Sequence, residues 1–273
     1  MKIYISSDME GTSGIVHSDQ TDPSLPEYQH GRRLMLAEVN AAIEGALAGG
    51  AGQVVVNDSH WNMRNLFIEE LHPAATLLSG SPKPYSMMAG IESSFDAVLF
   101  TGYHARAGSN GANLDHTYTG PAVVQDVSLN GTSVGEYGLN AALAGYFGVP
   151  VVLITGDQTA CAQAKELLGQ DLETVVVKEA IGRVAAKNIH PTRAREMIRA
   201  AAERAVKKKR EPFVVKPPVT LRLALARSTQ AEQCLLLPDV KRVAPRVVEF
   251  THQDYAVLFN AFLALLVLAN VQV

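Results

Sequence analysis

Ile3-Tyr4-Ile5-Ser6-Ser7-Asp8-Met9-Glu10-Gly11 opens on a short apolar run and turns polar and acidic at once. A β-branched and aromatic run of this length, closed by Ser, Asp and Gly, reads as a buried strand ending in a loop. The pattern recurs outward from it. Residues 54–56, 98–100, 151–154 and 175–177 are short, rich in Val and Ile, and bounded by turn residues, as strands covered on both faces should be. Helical periodicity fills the gaps: 33–47 carries Leu34, Met35, Val39, Ile43 and Leu47 on one face, and 136–147 and 159–168 follow the same rule. Gly49-Gly50 and Gly148 supply helix ends, and Pro191 opens a long helix that runs toward the basic cluster 207–210. The expected fold is α/β, a mainly parallel sheet flanked by helices. Beyond Pro217-Pro218 the pattern changes, with 219–225 and 243–250 alternating like half-wet strands and a helix starting near Asp254. We therefore expect a catalytic α/β domain over 1–212 and a smaller C-terminal α+β portion over 213–273.

The composition fits that reading. The 273 residues are 47% hydrophobic and 19% charged, which argues against disorder. The net charge is 24 − 27 = −3, so nucleic acid is not an expected partner. The longest apolar run, 261–269, is too short for a membrane span and is flanked by Asn260 and Asn270, so no membrane partner is expected. No apolar signal segment follows Lys2, and Cys161 and Cys234 sit in contexts that suit free thiols, so a cytoplasmic location is expected.

In open α/β sheets the functional groups lie beyond the carboxyl ends of the strands. After the first strand come Asp8 and Glu10, two apart and able to face one site. After the second come Asn57-Asp58-Ser59-His60, and after the third Gly102-Tyr103-His104. Glu136 opens a helix, where its charge is favoured even without a function. If all of these face one cleft, three carboxylates and two imidazoles exceed what one open tetrahedral zinc needs. Two metals sharing a carboxylate fit better, with Asp8 the candidate bridge because the sheet holds it closest. His116, in a loop beyond His104, could serve in proton transfer or in stabilising the tetrahedral intermediate. The other histidines are read as structural, and Asp157 as a helix N-cap.

Ser6-x-Asp8-x-Glu10-Gly11, Asn57-Asp58-Ser59-His60, Gly102-Tyr103-His104-Ala105 and Gly135-Glu136-x-Gly138-Leu139-Asn140, in that order, resemble the DppA-type D-aminopeptidase family of dinuclear zinc peptidases. The resemblance is densest over residues 1–160. It implies two zinc ions per subunit held by Asp8, Glu10, His60, His104 and Glu136, with His116 as the catalytic histidine. It also implies a ring-shaped homodecamer and a short peptide substrate that begins with a D-residue such as D-Ala. A hydroxide bridging the metals would attack the scissile carbonyl at neutral pH. The chain departs from the pattern at Trp61 and Arg64 and in a Gly/Asn-rich loop between His104 and His116. These are places where the substrate pocket could differ.

Two other readings stand beside this one. Gly131-Thr132-Ser133-Val134-Gly135 matches the G-x-S-x-G nucleophile elbow, with Asp157 and then His190 or His252 following in hydrolase order. Against it, Gln125, Asp126 and Ser128 interrupt the strand an elbow needs, and Asn130-Gly131 is a hairpin-turn signal. Ser133 reads better as a cap for the helix of Glu136. The second alternative is a non-catalytic oligomeric scaffold with structural metals, although structural zinc usually recruits Cys and this set has none.

Overall fold

The computed structural model describes residues 1–271. The chain runs β1 (Lys2–Ser7), α1 (Tyr28–Ala48), β2 (Gln53–Asp58), β3 (Ala75–Leu78) and β4 (Ala97–Thr101). It then forms β5 (Val124–Leu129), β6 (Thr132–Ser133), α2 (Glu136–Tyr146), β7 (Val151–Asp157) and α3 (Gln158–Leu168). β8 (Glu173–Gly182), β9 (Ala185–Asn188), α4 (Pro191–Ala205), β10 (Val219–Leu225) and α5 (Ser228–Cys234) follow, before β11 (Lys241–Ala244), β12 (Val247–His252) and α6 (Tyr255–Asn270). Seven strands form one sheet in the order β3-β2-β1-β4-β7-β8-β9, parallel except for the β8–β9 hairpin. This is the expected α/β architecture.

Alternation along β1 explains the layering. Ile3 and Ile5 point into a core shared with Met35, Val39 and Ile43 of α1 and Ile198 of α4, whereas Tyr4 points to the opposite core with Leu139 of α2 and Leu221 of β10. α1 and α4 approach closely because Gly45 has no side chain: a Cβ there would lie 2.2 Å from the Arg199 carbonyl oxygen. The chain leaves β1 for β2 on one side and later returns to β4 on the other. The carboxyl end of β1 is therefore a topological switch point, where a crevice is expected.

The second sheet is antiparallel, ordered β11-β12-β10-β5-β6, and α6 packs on it with Leu258, Phe262 and Leu265 buried. It draws strands from both sides of residue 212, β5 and β6 from before and β10–β12 from after. The run 243–250, read above as one strand, is a hairpin: Pro245-Arg246 separates β11 from β12, since proline removes a ladder donor. Asn130 and Gly131, both with positive φ, make the tight turn between β5 and β6. Cys161 and Cys234 are buried and free, with burial pushing their thiols up to about 12 and about 11. No described helix is long and apolar enough to cross a membrane.

Candidate metal centre

The loop after β1 is held by backbone. Asp8 N–H donates to the Thr101 carbonyl at 2.8 Å and Gly11 N–H to the Gly102 carbonyl at 2.7 Å, which brings the acidic loop onto the segment that carries His104. The approach depends on glycine: a Cβ on Gly11 would stand 1.9 Å from the Tyr103 carbonyl oxygen. Gly102 combines a φ of +68° with a Cβ position only 2.2 Å from the Asp8 carbonyl oxygen. Gly102→Ala is expected to cost at least about 2 kcal/mol through backbone strain and overpacking. A denaturation midpoint equal to the parent's would show that the two loops can separate without loss.

His60 is placed by a buried polar knot beyond β2. Asp58 accepts from the backbone N–H groups of Asn65 and Leu66 at 2.5 and 2.8 Å, and Asn65 Nδ2 donates to the His60 carbonyl at 2.7 Å. The His60 ring donates Nε2–H to the Thr21 carbonyl at 2.9 Å. Its Nδ1 therefore faces Asp8 Oδ1 at 3.2 Å and Glu10 Oε2 at 3.0 Å, to which it donates when protonated and beside which it can bind a cation when neutral. His104 mirrors this arrangement. Its Nδ1–H donates to the Ala105 carbonyl at 3.0 Å, while Nε2 faces Asp8 Oδ2 at 3.4 Å and Glu136 Oε1 at 3.3 Å. Fixing the outer nitrogen on a carbonyl is how metal-binding imidazoles are oriented. Glu136 is the first residue of α2 and accepts the Tyr118 N–H at 2.6 Å.

Asp8 thus lies between the two imidazoles, one oxygen turned to His60 and the other to His104, with Glu10 within reach of both and Glu136 beside His104. All five side chains are buried. Among the described residues, Asp8 Oδ2, Glu10 Oε2 and His104 Nε2 have no hydrogen-bond partner although they lie in the interior. Buried carboxylate and imidazole atoms that converge in this way carry a large desolvation cost unless a proton or a cation joins them. Burial alone would depress His60 and His104, but the facing carboxylates outweigh it and raise both well above the usual imidazole range. Burial favours neutral Glu10 and Glu136, yet the imidazoles opposite them hold both below the usual carboxylate range. Asp8 is raised, first by burial and then by the charge of Glu10. Oxygen and imidazole donors without thiolate suit zinc, and the donor count suits an open, catalytic site. The residues present fit the metal.

His116 differs from the five. It stacks on His104 with ring centroids 3.9 Å apart, and its side chain remains 19% exposed to a cleft of about 560 Å³. Its Nδ1–H donates to the Leu114 carbonyl at 2.8 Å, which leaves Nε2 free, 3.7 Å from Glu136 Oε1. Trp61, Met63, Ser86, Leu114 and Tyr118 line the cleft and all have left-handed backbones. Such strain persists only where the surroundings impose it, and for Tyr118 it aims the N–H at Glu136.

The structure brings together Asp8, Glu10, His60, His104, Glu136 and His116. It does not assemble the serine alternative. Ser133 is exposed on β6 and donates to Asp126 Oδ2 at 3.0 Å, while His190 and His252 accept the backbone N–H groups of Thr192 and Asp254. Nor does Ser133 cap α2, whose N-cap is Gly135 with no side-chain hydrogen bond. The turn at Asn130-Gly131 leaves Ser133 on the sheet edge, short of the helix. Asp157 does cap α3, accepting from Ala160 N–H at 2.7 Å. Thr21, Asn65, Asp115, Tyr118 and Arg183 carry no signal in the sequence that marks them for the site. They are ordinary loop residues until the fold brings their loops together.

A doubly covered parallel sheet with a buried carboxylate and imidazole centre at its switch point defines a metal-dependent hydrolase of the α/β class. The model of peptidase family M55, described as D-aminopeptidase, matches residues 1–264, and the chain belongs to that family. It is 37% identical over 272 residues to a D-aminopeptidase of Bacillus subtilis (strain 168), covering 98% of each chain. It also superposes, with a TM-score of 0.95, 36% identity and 98% of both chains covered, on the solved Zn-dependent D-aminopeptidase DppA from Bacillus subtilis, a self-compartmentalizing protease.

Proposed function

We propose that this chain is a zinc-dependent aminopeptidase that removes an N-terminal D-residue of the D-Ala type from short peptides. The observation that carries the reading is the convergence of Asp8, Glu10, His60, His104 and Glu136 with unpaired buried acceptor atoms at the base of a cleft. In this reading the five would hold two zinc ions, with Asp8 the candidate to be shared because its two oxygens face different imidazoles. Zinc, when bound, supplies Lewis-acid polarisation of the scissile carbonyl and acidifies a water to a pKa near 7. The chain's residues do the rest. The carboxylates favour a free α-amine at the centre, which restricts cleavage to the first peptide bond. His116 Nε2, freed by the bond from Nδ1 to Leu114, takes the proton given up by the attacking water and delivers it to the amine as the C–N bond breaks.

The same proposal includes a ring-shaped homodecamer in the cytoplasm, where the free buried thiols Cys161 and Cys234 suit a reducing compartment. Light scattering should then give about ten times the 29.3 kDa of one chain. A particle of any other size removes that part.

The experiment for the activity is hydrolysis of D-Ala-D-Ala and L-Ala-L-Ala by one preparation, before chelation, after chelation and after zinc is restored. Zinc-restorable cleavage of the D-dipeptide is expected. Cleavage of the L-dipeptide alone would keep the centre and overturn the substrate, and activity indifferent to chelation would remove the metal from the reaction.

A further inference from the structure

Among the described residues that line the cleft, Arg183 is the one with a permanent positive charge, in a cleft that also holds Asp8, Glu10 and Glu136. It lies in the turn between β8 and β9 and is built into the loop of His116. Its carbonyl accepts the Leu114 N–H at 2.8 Å and Asn113 Nδ2 at 2.9 Å. Its side chain is oriented as well. Nε pairs with Asp115 Oδ1 at 3.1 Å and Nη2 donates to the Asp115 carbonyl at 3.2 Å, while Asp115 Oδ2 is fixed by Gly108 and Ser109 N–H at 2.8 and 3.2 Å. One edge of the guanidinium is thus anchored, and no described residue engages Nη1. The side chain is 46% exposed, so it can meet a ligand without first being stripped from the interior.

We propose that Arg183 binds the C-terminal carboxylate of the substrate and so makes this site selective for peptides whose free carboxylate lies just beyond the scissile bond, dipeptides above all. The inference rests on the aminopeptidase reading. If His116 hands a proton to the departing amine, it marks the leaving-group side of the cleft. In a dipeptide the departing nitrogen and the carboxylate sit on the same carbon, so the carboxylate falls on that side. Arg183 is tied there, to the residue next to His116. A guanidinium edge matches a carboxylate by parallel charge-assisted hydrogen bonds, which a longer or amidated peptide would not supply at that position.

The placement also solves a problem of orientation. A dipeptide carries an amine at one end and a carboxylate at the other, and a carboxylate is itself a good ligand for a divalent ion. With no cation beyond the centre, carboxylate-first binding would compete with the productive pose. Arg183 gives the carboxylate a site of its own and leaves the amine and the scissile carbonyl for the centre.

The test compares D-Ala-D-Ala with its C-terminal amide, which differs by one charge, in the zinc-loaded native protein and in Arg183→Ala and Arg183→Lys. The native protein is expected to favour the free acid by roughly tenfold to a hundredfold in kcat/KM, in line with a charge-assisted hydrogen-bond pair. In Arg183→Ala that ratio should fall toward one, chiefly through KM of the acid, and Arg183→Lys should keep part of it. Because the ratio is taken within each variant, general damage to the loop cancels. A native ratio near one, or a ratio that survives Arg183→Ala, overturns the assignment while leaving the aminopeptidase intact. Hydrolysis of neither compound by the native protein removes the aminopeptidase reading and this inference with it.

Discussion

Asp8→Ala is expected to purify with far less zinc than the parent and to lose at least about 10³-fold in kcat/KM, the scale set by several kcal/mol of metal-derived stabilisation. The argument rests on where the carboxylate stands. Its Oδ1 lies 3.2 Å from His60 Nδ1 and its Oδ2 3.4 Å from His104 Nε2, so removing it breaks both halves of the cluster at once. Losing Glu136 would open the His104 side only. In the metal-free chain the deletion has opposing effects, because burial and Glu10 disfavour ionised Asp8 while its pairs with His60 and His104 favour it, so each protein is compared with itself with and without zinc. Zinc should then raise the unfolding temperature of the parent and barely move that of the variant, because a ligand stabilises only the state that binds it. Zinc analysis and thermal unfolding with and without added zinc read the two effects separately. Native zinc content in Asp8→Ala would discredit the bridging role.

Much of this site could be read from sequence because its residues ride on the strands. Ile3-Tyr4-Ile5 and residues 98–100 are buried on both faces and residues 54–56 nearly so, with Val55 half-buried, and that leaves an unambiguous apolar run with the functional groups at its end. Asp8, Glu10, His60 and His104 are legible for that reason, and Glu136 for its place at a helix start. The second sheet was harder. β5 exposes Gln125 while burying Val124, Val127 and Leu129, a pattern that looks like an interrupted strand until β10 is seen beside it. Arg183 and Tyr118 could not be found at all. Arg183 reaches the cleft only because a hairpin far along the chain folds back onto residues 113–115, and Tyr118 acts through a backbone N–H, which every residue but proline possesses. The Ser133 motif shows the converse, a spacing that matches a catalytic pattern in a strand edge that bears none of its geometry.

His116→Ala should keep its zinc and lose about 10²- to 10⁴-fold in kcat, the usual worth of a positioned general acid or base. Metal content is the decisive companion measurement, because His116, His104 and Glu136 are close enough together to hold an ion among themselves. Two observations favour a proton-transfer role over a ligand role. The five buried side chains point their donor atoms at one another, whereas the His116 ring stays partly open to the cleft and its Nε2 stands 3.7 Å from the nearest carboxylate oxygen of the cluster. The ring is also held by contacts that owe nothing to a metal, the stack on His104 and the bond from Nδ1–H to Leu114. Those contacts fix one tautomer and one direction, as a group that must receive and return a proton at the same atom requires. A His116→Ala protein with full zinc and parental kcat would remove the residue from the reaction. Loss of zinc together with turnover would make it a ligand and shift proton delivery to another group in the cleft.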